Sequence, residues 1–166
     1  TTSAKFADLS YKVYAFEMDR HNFELAKKLG DEKNFVVENF GLGSFIHRLK
    51  YTHTEGNIAR SHIDKNGNEI AEIITIDAYV REKKLPRVDF IKFDVEGAEL
   101  EVLQGATTTI AKYKPILNIS AYHKLDDFWT LMNFVKSIRA DYEFALRQYP
   151  EVSEEAQFFL TSEQAE

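Results

Sequence analysis

VDFIKFDVEGAELEVLQG, Val88 to Gly105, decides how this chain is read. VDFIKF is a nearly continuous apolar run, the kind that forms a strand buried on both faces of a parallel sheet. Two carboxylates, Asp94 and Glu96, follow where the strand stops. Gly97 permits a close turn, and Ala98 to Gln104 returns as a helix with Leu100 and Leu103 toward the sheet. In an open α/β sheet, ligands sit outside the carboxyl ends of the strands, so Asp94 and Glu96 stand where a ligand is met. The competing reading is local: acids at a helix N-terminus gain about 0.3 to 1 kcal/mol from its dipole. Glu99 and Glu101 read as a solvated helix face, with Glu99 able to assist the first turn.

Outward from this stretch, strand-like and helix-like runs alternate, which predicts an α/β domain. KVYAF, 12–16, is a short strand ending at Glu17. Asp19 caps a helix through Leu29, with Phe23, Ala26 and Leu29 on one face and Gly30 ending it. FVVENF, 35–40, is the next strand. Residues 44–76 lack a helical period; FIHRLKYT and EIAEIITI are β-like, DKNGNE between them is turn-rich, and the segment reads as a β insertion. Asp77 caps a short helix to Lys84, which Pro86 closes. PILNISAY, 115–122, is a further buried strand, and Asp127 to Ala140 carries Phe128, Leu131, Val135 and Ile138 on one stripe. YEFALRQY and AQFFLTS form a final antiparallel pair.

Composition narrows the functional classes. The chain has 166 residues, enough for one domain with a real core, and is 44% hydrophobic. A net charge of -6 with no basic tract argues against nucleic acid. No cysteine is present, which excludes a disulfide framework or thiolate metal site and fits a reducing cytoplasm. No apolar run approaches the roughly 20 residues that span a bilayer, so no membrane partner is expected.

VYAFE followed by DRHNFELAKKL, then VDFIKFDVEGAELEVLQGA, KPILNISAYH, LRQYP and AQFFL resembles, in order and spacing, the FkbM family of O-methyltransferases. The resemblance runs from Thr1 to Leu160. DVEGAELEVLQGA is its most specific part; an acid after strand 2, as in VYAFE, is common to many Rossmann-like sheets. It implies a class I methyltransferase sheet, mostly parallel, with a C-terminal antiparallel hairpin and the 44–76 insertion between strands 3 and 4, in a single domain over 1–166. Two departures stand out. Gln148 and Tyr149 occupy the place of a His-Tyr pair, and the family's first strand and glycine-rich loop, D-x-G-x-x-x-G-D, would precede Thr1 and Thr2. The expectation is an N-terminally incomplete member whose first-strand slot lies between the strands ending at Glu17 and Asp94.

The resemblance implies S-adenosylmethionine as methyl donor and a small-molecule hydroxyl as acceptor. Glu17 offers one carboxylate to two ribose hydroxyls, Asn39 and Ser44 lie toward the adenine, and Asp94 serves both cofactor and catalysis. Methyl transfer is an in-line displacement by a hydroxyl relieved of its proton. His123, at the end of the next strand, suits the base, with Glu96 as the alternative; a core-edge histidine satisfied by backbone is the competing reading. Asp94, Glu96 and His123 are too scattered to assign a metal site. His21, His47, His53 and His62 receive no role. Tyr79 and Lys83 form Y-x-x-x-K, a dehydrogenase spacing on the wrong element. A non-catalytic binding domain of the same fold and an NAD-linked dehydrogenase are the rival functions; binding of the methyl donor or of NAD discriminates them.

Overall fold

The computed structural model describes residues 3, 5, 11–33, 35–53, 62–148 and 156–162. The chain divides into two compact units, Thr1–Ile74 and Thr75–Glu166.

The first unit contains a β-α-β element. Strand β1 (Tyr14–Phe16) pairs parallel with β2 (Val36–Glu38), Tyr14 facing Val36 and Phe16 facing Glu38. Helix α1 (Arg20–Lys33) connects them. Its start is as expected: Asp19 accepts the Asn22 amide on Oδ1 at 3.0 Å and the Phe23 amide on its carbonyl at 2.8 Å. Its end is not. The helix runs through Gly30 to Lys33, and the glycine serves close packing instead, because a Cβ there would lie 2.7 Å from the Phe35 carbonyl oxygen and 3.1 Å from Val37 Cγ2.

The insertion forms a four-stranded sheet in the order β3 (Gly41–Leu42), β6 (Glu69–Ile74), β4 (His47–Thr52), β5 (His62–Ile63). Strands β4 and β6 are antiparallel, with Leu49 opposite Ala71 and Arg48 opposite Glu72. Alternation then sorts the faces: Tyr51, Ala71 and Ile73 make a small core packed by Met18 and Leu49, while Arg48 pairs with Glu72 in solvent. Asp64 forms the expected turn by accepting the Asn66 amide on its side chain and the Gly67 amide on its carbonyl. Strand β6 returns parallel to β3, so the sheet begins at Gly41 rather than at Ser44.

The second unit begins with α2 (Ile76–Glu82), whose N-cap is Thr75, not Asp77: Thr75 Oγ1 accepts the Ala78 amide at 3.0 Å. Asp77 is used elsewhere. Its carboxylate accepts the amides of Thr108 and Thr109 and the Thr109 hydroxyl, at 2.7 to 2.9 Å, and so caps α4 (Thr107–Tyr113), a helix whose own N-cap, Ala106, has nothing to offer. Between them lie β7 (Phe90–Phe93) and α3 (Glu99–Gln104); β8 (Ile116–Ser120), α5 (Asp127–Ile138), β9 (Tyr142–Gln148) and β10 (Ala156–Ser162) follow. The sheet order is β7-β8-β10-β9. Strand β7 is parallel to β8, and β10 is antiparallel to both β8 and β9, so the C-terminal pair forms as expected and docks on β8 through β10.

Phe93, Leu117, Ile119, Val102, Leu103, Ile110, Leu131, Val135 and Leu160 are buried in this unit. Each such side chain contributes about 1.5 to 3 kcal/mol relative to exposure. In α3 the buried positions are Glu99, Val102 and Leu103, while Leu100 is only partly covered. Strand β7 stands last in its order and buries Phe93 alone; the run is not covered on both faces along its length. Of the seven strand pairings among the described residues, three are parallel. The architecture is α/β with mixed sheets. No helix among the described residues is long and apolar enough to cross a membrane.

Candidate functional site

In the second unit β7 delivers Asp94 to a reversal of the chain. Glu96 and Gly97 adopt φ of 52° and 93° in succession. A left-handed non-glycine residue costs on the order of 1 to 2 kcal/mol, and Gly97 is required by its φ, since a Cβ would make only ordinary contacts at 3.7 Å. The turn leaves the Asp94 side chain 44% and that of Glu96 75% exposed.

Asp94 collects three donors. Lys92 Nζ lies 3.0 Å from Oδ2, and Oδ1 accepts the hydroxyls of Ser120, at 3.0 Å, and Tyr122, at 3.3 Å. Partial burial opposes ionisation of the carboxyl, but the hydrogen bond and charge of Lys92, with the two hydroxyls, outweigh it and hold Asp94 below the ordinary carboxylate range. Strand pairing explains the cluster: Phe93 stands opposite Ile119, which brings the next residues, Asp94 and Ser120, together at the ends of β7 and β8.

His123 follows β8 by three residues, and its side chain is 12% exposed. Its ring lies 4.2 Å from that of Tyr122. Nε2 is 3.5 Å from Glu96 Oε2, and Nδ1 is 2.9 Å from Glu99 Oε1. The structure thus brings Asp94, Glu96 and His123 onto two adjoining strand ends, and adds a residue that the sequence reading placed in solvent. Glu99 is wholly buried. Its Oε1 reaches back over the turn to the amides of Val95, at 3.2 Å, and Gly97, at 3.4 Å. Its position in the first turn of α3 was a signal for the backward reach; its contact with His123, beyond β8, is not revealed by sequence spacing.

In the first unit Glu17 follows β1 and accepts the Asp19 amide on Oε1 at 2.8 Å. Burial pushes its carboxyl up; that hydrogen bond offsets part of the effect and the Asp19 charge adds to it. Asn39 donates from Nδ2 to the carbonyls of Glu17, at 2.8 Å, and Met18, at 3.3 Å, so it fixes the backbone that carries Glu17. Ser44 sits half-buried at the bend between β3 and β4. An additional pair appears where none was expected: His53 Nδ1 lies 2.7 Å from Oδ2 of the buried Asp19, and the rings of His53 and His21 are 5.1 Å apart.

Tyr79 is buried in α2 with Lys83 over its ring at 5.4 Å, an arrangement of packing. Gln148 ends β9 opposite Ala156, and Tyr149 falls outside the described residues. A hollow bounded by Arg81, Lys84, Pro86, Lys112 and Tyr113 contains none of the carboxylates at the strand ends. No three His, Asp or Glu side chains among the described residues converge as metal ligands.

A family model described as the methyltransferase FkbM domain matches residues 1–157. Among solved structures, the methyltransferase FkbM from Methylobacillus flagellatus KT is similar, at 28% identity and a TM-score of 0.68, over 89% of this chain. The chain spans 36% of the length of that one. No curated protein matches it.

Proposed function

We propose, because this chain belongs to the FkbM methyltransferase family, that it carries part of a site transferring a methyl group from S-adenosylmethionine to a hydroxyl of a sugar, polyketide or similar small molecule. The proposal includes a single Rossmann-like domain over the chain and a cytoplasmic setting, the latter supported by the absence of cysteine. The observation that carries the reading is the triply held, ionised Asp94 beside the turn of Glu96 and Gly97, at a strand end where α/β proteins meet their ligands.

The donor supplies an electrophilic methyl group on a sulfonium. Glu17 suits its ribose: with Oε1 committed to the Asp19 amide, Oε2 points the acceptor capacity of a half-buried carboxylate at two hydroxyl donors. Asn39, its amide nitrogen spent on backbone, keeps a carbonyl oxygen for the adenine amino group, with Ser44 as a second polar contact. Asp94 orients the acceptor hydroxyl and faces the positive sulfur. As the new O–C bond forms and the C–S bond breaks, the hydroxyl proton passes to the base. Exposure orders the two candidates: Glu96 stands outward and receives the proton first, and His123 stands behind it at 3.5 Å. A positioned base contributes a factor of about 10² to 10⁴.

The test is transfer of a radiolabelled methyl group to a panel of sugar and polyketide alcohols. Glu96→Gln and His123→Ala each lower the single-turnover rate by about 10² or more with little change in donor affinity. Full rates in both variants would remove these residues from the chemistry, and absence of transfer together with donor binding would favour a binding module.

A further inference from the structure

Glu99 is the least expected residue of the second unit. A carboxylate with 0% exposure loses its hydration at an effective cost of several kcal/mol, and such groups persist where partners replace the water. The partners here are incomplete. The two amide bonds to Oε1 are long, at 3.2 and 3.4 Å, and Oε2, fully covered, has no hydrogen bond. Capping a turn does not need this, because Asp64 and Thr75 perform it at half-covered positions. What the buried position adds is His123 Nδ1, 2.9 Å from Oε1 and tilted off hydrogen-bonding alignment, with the ring held by Tyr122 on one side.

We infer that Glu99 is a positioning residue for His123, fixing the ring with its proton on Nδ1 and its lone pair on Nε2, so that Glu96, His123 and Glu99 form a proton-holding chain from surface to core. This rests on the proposed role of Glu96 and His123 as the base. The proton balance supports it. Before transfer the ring lies between two carboxylates, one at 3.5 Å from Nε2 and one at 2.9 Å from Nδ1. The proton released by the acceptor hydroxyl then enters the Glu96 and Nε2 gap, and the imidazolium that results has a carboxylate at each nitrogen. The tautomer matters, since a proton already on Nε2 would leave no lone pair facing Glu96. Both carboxylates only accept, but Glu99 is nearer, 2.9 Å from Nδ1, and shielded from water, whereas Glu96, 3.5 Å from Nε2, is exposed and screened. The buried one therefore selects Nδ1–H.

The experiment is nitrogen-15 NMR of the chain with labelled histidine, at about pH 8.5, above the ordinary histidine range. His123 is assigned by loss of its signals in His123→Asn. The expected spectrum shows the Nδ1–H form dominant in the wild type and a mixture of tautomers in Glu99→Gln, whose amide can also donate. Glu99→Asp, which keeps an acceptor, restores the Nδ1–H form in part. Melting curves accompany each variant; should Glu99→Gln not fold, the wild-type tautomer and Glu99→Asp carry the test. An Nε2–H form in the wild type, or a tautomer unmoved by Glu99→Gln, overturns the inference. Methyl transfer is read separately: Glu99→Gln lowers turnover by roughly 10- to 100-fold, the range for losing the carboxylate behind a metal-bound imidazole. A tautomer shift with full turnover in both Glu99→Gln and His123→Ala leaves Glu99 as the residue that sets the ring and removes the ring from catalysis.

Discussion

Asp94→Asn separates a held charge from a merely capped helix. Asparagine keeps an oxygen for the Ser120 and Tyr122 hydroxyls but turns an NH₂ toward Lys92, donor against donor. The Lys92 pair is partly exposed, with side chains 23% and 44% accessible, and is worth about 0.5 to 1 kcal/mol after screening. Each hydroxyl bond falls from the charge-assisted to the neutral range, a loss of about 0.5 to 1 kcal/mol apiece. The expected destabilisation at neutral pH is therefore about 1.5 to 3 kcal/mol, read by urea unfolding. Its pH dependence is the sharper readout. The folded carboxyl is held below its ordinary value of 3.8, so its contribution is complete above that value and is lost as pH falls through the lower folded one. The gap between wild type and Asp94→Asn should be level from pH 8 to about pH 5 and should close below about pH 4. A gap of less than about 0.5 kcal/mol, or one that persists in acid, would show that Lys92, Ser120 and Tyr122 do not hold the charge.

Asp77→Ala removes the cap of α4 and strands the buried Thr109 hydroxyl, which should cost about 2 to 3 kcal/mol in urea unfolding, with Asp77→Asn losing less than half of that. Glu17→Gln should raise stability at neutral pH. The folded carboxyl is raised, so its favourable contribution is present below the ordinary value of 4.5 and lost as pH rises through the folded one; the gain should vanish in acid, as pH-dependent melting will show. The same variant should lose donor affinity. Tyr142, buried and donating to the Pro115 carbonyl at 2.7 Å, has its phenol pushed up to about 12 by burial, against the nearby Arg139 and with the help of Asp141. Its contribution is present below about pH 10 and lost through pH 12, so alkaline unfolding should steepen in that window and flatten in Tyr142→Phe.

The sequence was legible where local chemistry determines structure. Asp19 announces α1, Gly97 announces the turn, and alternation in 45–52 and 69–76 predicts the strands that form the insertion. It was opaque where a residue acts at a distance. Asp77 looks like the cap of its own helix, yet its carboxylate serves Thr108 and Thr109, some thirty positions on, while Thr75 caps α2. Gly30 resembles a helix terminator because the signal for stopping and the signal for close packing are the same residue. Glu99 follows the same rule: a glutamate flanked by Ala98 and Leu100 gives no sign of the His123 ring that meets it. The second unit's sheet is mixed because β10 pairs antiparallel with β8, which no local pattern encodes, and the insertion's sheet because β6 pairs parallel with β3 and antiparallel with β4.

Donor binding tests the central claim most directly. Calorimetric titration of the longest natural chain containing these residues, with S-adenosylmethionine and with NAD in parallel, should show saturable heat with the first alone, weakened in Glu17→Gln by about 1.5 to 3 kcal/mol, the range for hydrogen bonds to a charged group. Saturable binding of NAD, or of neither compound, or a donor affinity indifferent to Glu17, would contradict the account.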